Sequence, residues 1–226
     1  MTTETGILVL TACSIGFFHT LMGPDHYIPF IAMARSNRWT LRKTLVITLL
    51  CGLAHVGSSV LIGVVGLGIG ALLFNLEQLE SVRGEAAAWL LIGFGMAYLT
   101  WGLFHAYRHT PHTHVHVDCH NDESLSTKEA KPRRAFSPWG LFLVFAFGPC
   151  ESLIPLLMYP ASEAHWMVVG FVVVAFLLST LLAMCGAVWL ACIGLQAIRW
   201  PHWHRYSHAF AGLTILFCGV SVKFGL

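Results

Sequence analysis

The sequence predicts an all-α, polytopic membrane protein of six transmembrane helices, arranged as two inverted three-helix repeats whose first and fourth helices are broken at Gly-Pro. Three observations carry this reading. Mean hydropathy is +0.69. Only 11% of the residues are charged and 56% are hydrophobic, whereas a soluble domain carries about 25% charged residues. The apolar residues also fall into six runs, each near the roughly 20 residues a membrane span needs, and a similar Gly-Pro motif opens each half of the chain.

Taken in order, the first run covers 6–22 and resumes over 27–34 beyond Gly23-Pro24. Pro24 removes a backbone donor and crowds the preceding turn, so a break or kink is expected at Gly23. The second run covers 44–74 and the third 86–107. A polar, histidine-rich linker follows over 108–137 and separates a first repeat (1–107) from a second (138–226). The fourth run covers 138–159, the fifth 165–195 and the sixth 206–224. In each half the second run is long and the third shorter. The N-terminus, Met1-Thr2-Thr3-Glu4-Thr5, lacks the basic segment of a signal peptide, so the first run is expected to be retained.

The repeat is carried by Gly23-Pro24-Asp25-His26-Tyr27-Ile28-Pro29 and Gly148-Pro149-Cys150-Glu151-Ser152-Leu153-Ile154-Pro155. Three spans per half give the halves opposite orientations, and broken helices at matching positions point to a transport site at the bilayer midplane. Basic residues set the direction. Arg35, Arg38, Arg42 and Lys43 flank loop one, Arg108, Lys128, Lys131, Arg133 and Arg134 lie in loop three, and Arg199 and Arg205 lie in loop five. Loop two has only Arg83 and loop four has no basic residue. Loops one, three and five are therefore expected in the cytoplasm, with both termini outside and the protein in the inner membrane.

A net charge of +2 gives no case for nucleic acid. The seven cysteines show no CxxC and no paired spacing, so no disulfide framework is expected. The partners implied are the lipid bilayer and a metal ion, and a homo-oligomer is compatible with the sequence.

Asp25 and Glu151 are the only carboxylates inside the predicted runs, and both fall in the Gly-Pro motifs. Ionisable groups at membrane depth face an interior or a cavity and mark function. No Lys or Arg lies in a run beside them, so a proton or a metal is the expected neutralising partner. The neighbouring groups favour metal. His19, Asp25, His26, His55, Cys150 and Glu151 combine imidazole, carboxylate and thiol, which suits nickel, cobalt, zinc or iron. In an unbroken helix His19, Met22 and His26 would share one face, with Met22 read as packing. His55, taken alone, reads equally as a hydrogen-bonded packing residue. The linker adds His105, His109, His112, His114, His116 and His120 with Asp118 and Cys119, a composition that binds metal loosely or serves as a polar spacer. His202, His204 and His208, near Trp200, Trp203 and Tyr206, read as interface anchors.

His19-Thr20-Leu21-Met22-Gly23-Pro24-Asp25-His26 resembles the His-x4-Asp-His signature in the first helix of nickel/cobalt transporters, and the His-Ala-Leu-Glu-Pro-Asp-His form of their urease-accessory-like membrane relatives. Gly52-Leu53-Ala54-His55 is similar to the Gly-Leu-Gly-His of those relatives, as is the ending around Tyr206–Gly212 and Cys218-Gly219. The resemblance implies transport of Ni²⁺ or Co²⁺, with His19, Asp25 and His26 as ligands and His55 in support. The spacing here is one residue longer, which leaves the coordination geometry and the ion open. A second resemblance links Gly148-Pro149-Cys150-Glu151 to the Pro-Cys motifs of membrane thiol–disulfide electron carriers, which share a six-span inverted-repeat plan. Those carriers use a cysteine in each half, whereas the first-half counterpart of Cys150 is Asp25. A membrane metalloenzyme built on the same cluster is the remaining alternative.

Overall fold

The computed structural model describes residues 3–68, 73–108, 139–148, 150, 152–162, 165–196 and 206–225. Among these residues the fold is all-helical, without strands. Helix α1 (Thr3–Met22) stops at the Gly-Pro step, a single 3₁₀ turn covers Pro24–His26, and α2 (Ile28–Ser36) continues beyond it. Pro24 has no N–H to offer the Thr20 carbonyl, so the α-helical ladder ends there. The Gly23 N–H still closes on the His19 carbonyl at 3.0 Å, and the His26 N–H turns back to the Gly23 carbonyl at 3.0 Å. At the far end of α2, Arg38 adopts a left-handed φ of 51°. The Trp39 N–H then reaches back to the Ala34 carbonyl at 2.9 Å, as in a Schellman stop.

The remaining helices are α3 (Leu41–Gly68), α4 (Leu73–Arg108), α5 (Trp139–Phe147), α6 (Leu153–Ser162), α7 (Trp166–Gln196) and α8 (Ser207–Phe224). Among the described residues five helices, α1, α3, α4, α7 and α8, are long and apolar enough to cross a membrane. The fourth apolar run instead divides into α5 and α6, of 9 and 10 residues, each too short to span alone. One boundary corrects the sequence reading. Helix α4 begins at Leu73, not near Ala86, and its 36 residues exceed the 28 of α3. Glu77, Gln78, Glu80 and Arg83 interrupt the hydropathy but are good helix formers, so the helix runs through them.

Helices α4 and α8 make the closest contact in the fold. A Cβ at Gly212 would lie 2.3 Å from the Leu99 nitrogen, and one at Gly102 or Gly95 would lie 2.5 Å from the nitrogen of Ala209 or Leu216. Positions 92, 95, 99 and 102 meet 219, 216, 212 and 209, so the two helices run antiparallel with backbone against backbone. Small residues permit such an approach in a membrane, where packing replaces the hydrophobic effect as the driving force. Helix α3 instead runs parallel to α5 and α6, since His55, Ser59 and Gly63 meet Gly148, Cys150 and Leu157 in turn.

Several of the packed pairs correspond when α1–α4 are exchanged for α5–α8. Helix α1 lies on α7 as α3 lies on α5, α2 lies on α8 as α4 on α6, and α2 lies on α3 as α6 on α7. One buried cluster gathers Phe30, Met33, Tyr98, Phe145, Met184 and Ile215, and a second gathers Ala12, Val56, Leu153, Val172 and Phe176. Leu10, Leu61, Leu182 and Phe217 point outward and exposed, as on helices that face lipid.

The helix ends that flank the basic stretches share one end of the bundle among the described residues. Arg35 donates to the Leu195 carbonyl at 3.1 Å. Tyr98 Oη sits 2.8 Å from Ser36 Oγ and 2.8 Å from His208 Nδ1. The ends of α2, α4 and α7 and the start of α8 therefore meet there, and His208 belongs to this cluster together with Trp101.

Candidate functional site

The site is built on the first break. His19 stands on the last turn of α1, Asp25 and His26 lie in the 3₁₀ turn, and His55 comes from the middle of α3. The rings of His19 and His26 are 5.1 Å apart at 78°, and those of His26 and His55 are 5.2 Å apart at 87°. Three imidazoles thus form one row with its centre at the break.

His26 Nδ1 lies 3.2 Å from Asp25 Oδ1 and 3.1 Å from the Gly23 carbonyl. Both neighbours accept, so Nδ1 carries the hydrogen, and in the neutral ring Nε2 presents a lone pair. A carboxylate orienting an imidazole through its inner nitrogen is the arrangement found behind metal-ligating histidines. Among the described residues His26 Nε2 and His19 Nε2 are buried without hydrogen-bond partners, as are both nitrogens of His55. The Phe145 carbonyl approaches the His55 ring without closing a bond. Each unmade hydrogen bond of this kind costs about 1–3 kcal/mol, so a row of them marks a place that a ligand or water fills.

That place is a cavity of about 570 Å³ lined by His19, Gly23, Asp25, His26, His55 and Gly148, with Leu91, Phe145 and Val222 as apolar walls. Asp25 remains 27% exposed toward it, while His26 is 7% exposed. Both glycines of the repeated motif serve as floors under imidazoles. A Cβ at Gly23 would fall 2.6 Å from His26 Nδ1, and one at Gly148 3.1 Å from His55 Nδ1. As the side chains stand, no group of three or more His, Cys, Asp or Glu among the described residues is disposed to hold a metal ion. The rings meet edge to face, and convergence of their lone pairs requires rotation about side-chain torsions.

A second polar cluster, which sequence reasoning missed, surrounds the second break. Arg83 on α4 pairs with Glu80. It also donates to Ser58 Oγ at 2.8 Å, to the Ala146 carbonyl at 3.3 Å and to the Gly148 carbonyl at 3.4 Å. Ser59 Oγ donates to Glu80 Oε2 at 3.3 Å and accepts the Cys150 N–H at 3.0 Å. Two expectations are corrected here. Glu80 is a buried carboxylate inside a helix, and a basic residue does reach the broken segment. The signal was the Glu80–Arg83 spacing of three within a stretch that keeps helical propensity.

The model of one family, the cytochrome c biogenesis protein transmembrane region, matches residues 27–221. The chain belongs to that family. No curated protein and no solved structure matches it. The match includes His55 and Cys150 and leaves His19, Asp25 and His26 outside. It sides with the thiol–disulfide branch of the sequence resemblance rather than the nickel/cobalt branch.

For a member of the cytochrome c biogenesis transmembrane family, the cysteines call for placement. Cys150 is fully buried in the cluster of Ala12, Val56, Leu153 and Phe176, and it does not line the cavity. Cys51 belongs to the other cluster, and Cys13 Sγ faces the Ala175 carbonyl at 3.8 Å. No disulfide joins two cysteines among the described residues. The structure therefore gathers His19, Asp25, His26 and His55, and leaves Cys150 in the apolar cluster behind Gly148. Glu151 and the linker histidines from His109 to His120 lie outside the described residues.

Proposed function

We propose that the chain is a six-span inverted-repeat carrier of the inner membrane that moves a divalent transition-metal cation, nickel or cobalt in the first place. The observation that carries this reading is the row of His19, His26 and His55, with buried unpartnered nitrogens beside Asp25 on a cavity at a helix break. Neutral imidazole with carboxylate is a donor set for such ions, and broken helices at matching positions of two halves are where carriers bind their cargo. The antiparallel crossing of α4 and α8, and the exchange relation between the halves, support the inverted plan, with α5 and α6 together as the sixth span. The meeting of the ends of α2, α4 and α7 with the start of α8, next to the basic stretches of the sequence, supports a cytoplasmic position for that end. Rocking of the halves about the fixed site exposes the ion to either side in turn.

Equilibrium dialysis of the purified chain against cobalt tests this. His26→Ala and Asp25→Ala are each expected to remove one bound equivalent, over a background held by the linker histidines. Unchanged stoichiometry in both variants overturns the reading. A second reading, a thiol–disulfide electron carrier, is favoured by family membership and by Cys150 at the second break. Trapping Cys150 as a mixed disulfide by exchange with a small disulfide reagent, which releases one thiol per chain, would support it in the folded protein, and failure to trap it would remove it.

A further inference from the structure

The Glu80–Arg83 cluster has no part in the cation site as described, yet it lies directly against it. Arg83 and cavity-lining Ala87 are four residues apart, on one face of α4. The guanidinium touches the surroundings of His55 from two directions. Through Ser58 Oγ, which it approaches at 2.8 Å, it meets the group that donates to the His55 carbonyl at 2.9 Å. Through the Gly148 carbonyl, at 3.4 Å, it holds the backbone that stands against the His55 ring, where an added Cβ would lie 3.1 Å from Nδ1. Among the described residues neither nitrogen of His55 makes a hydrogen bond. Metal-ligating imidazoles are ordinarily oriented by a hydrogen bond from the second nitrogen, so here the ring takes its direction from its walls. A planar fork of donors suits this task, since it binds two carbonyls and two hydroxyls at once, which an ammonium point charge does not reproduce.

We propose that Arg83 is a positioning residue for His55, holding the α3 backbone and the Gly148 wall so that the imidazole faces the cavity. The inference rests on the reading of the row His19–His26–His55 as a metal-cation site. The bland alternative is that Arg83 only neutralises Glu80 and caps the carbonyls that end α5.

A double-mutant cycle on the full chain separates the two, with cobalt as the probe and its visible absorption as the readout. Arg83→Met is expected to weaken cobalt binding about tenfold or more, the range found for outer-shell partners of ligating histidines, and to change the cobalt spectrum at unchanged stoichiometry. In a His55→Ala background the same substitution should cost less than about twofold, because the residue it positions is gone. Arg83→Lys should keep the charge and recover only part of the affinity. An equal loss with and without His55, or no loss at all, overturns the inference and leaves the cation site standing. If Arg83→Met does not fold, Gly148→Ala puts a methyl against His55 Nδ1 with the Arg83 side chain unchanged, and its loss of affinity should likewise vanish without His55. A native chain without His26-dependent cobalt binding overturns the reading of the site and this inference with it.

Discussion

The two Gly-Pro breaks are similar in sequence and opposite in chemistry. At the first, the ladder ends beside three imidazoles and a carboxylate, and His19 Nε2, His26 Nε2 and both nitrogens of His55 are buried without partners among the described residues beside a cavity. At the second, the exposed backbone is taken up. Arg83 covers the carbonyls of Ala146 and Gly148, and Ser59 takes the Cys150 N–H. The first break holds unsatisfied ring nitrogens together with space, whereas at the second the Ala146 and Gly148 carbonyls and the Cys150 N–H are bonded and the Ser152 hydroxyl is left buried without a partner among the described residues. Breaking a helix inside a membrane frees polar groups either way. What differs is whether the protein satisfies them itself or leaves them for something that comes and goes.

The largest expected contrast is in stability. Arg83 and Glu80 are 12% and 2% exposed, and removing one member of a buried pair costs about 3–5 kcal/mol because it strands the other charge. Arg83→Met should therefore lower the thermal midpoint of the detergent-solubilised chain strongly. Glu80→Gln combined with Arg83→Met should restore part of the loss. At the first break, His26→Ala removes a group that is already short of a partner, so its cost should stay nearer the ~1 kcal/mol typical of single substitutions. Equal midpoints for Arg83→Met and His26→Ala would erase the distinction between a closed joint and an open site.

Acidification sharpens the same contrast by a middle-sized effect. Metal binding needs neutral imidazoles, so protons compete with the cation at the first break. Each ring that must shed a proton to take up the cation costs up to about tenfold in apparent affinity per pH unit of acidification. The sign is fixed: cobalt affinity falls as pH falls. Cobalt titrations at a series of pH values check this, and an affinity that rises on acidification would exclude the imidazole row as the binding element.

Much of this arrangement was legible in the sequence because it rests on local rules. Pro24 had to end a helix, and the position of His19, Asp25 and His26 around it followed from chain connectivity alone. His55 was nominated by its burial and its small neighbours, and the structure brings it within 5.2 Å of His26. The second break was misjudged for a physical reason. Hydropathy ends the third run near Ala86, whereas helical hydrogen bonding does not respect hydropathy and carries α4 back to Leu73. Arg83 and Glu80 therefore read as loop residues until the fold placed α4 against α3 and α5. The crossing of α4 and α8 was equally hidden, since Gly95, Gly102, Gly212 and Gly219 acquire meaning only when the two helices are known to touch.

The smallest expected effect bears on the member of the second motif that aligns with Asp25. Cys150 is fully buried among Ala12, Val56, Leu153 and Phe176, so Cys150→Ala removes one packed sulfur and should cost only about 1 kcal/mol. Its backbone N–H, which bonds to Ser59, is kept by the substitution. If the second break is a closed joint, cobalt affinity and flux in reconstituted vesicles should be unchanged within about twofold. A loss of bound cobalt would mean that the thiol turns from its apolar cluster into the cavity and that both breaks supply ligands, making the site symmetric about the midplane. Retained cobalt binding with lost thiol exchange would instead divide the labour between the halves, with cation chemistry at the aspartate-histidine break and sulfur chemistry at the other. The same purified variant decides among these three arrangements, because the fold tolerates the change at a cost far below the loss expected at Arg83.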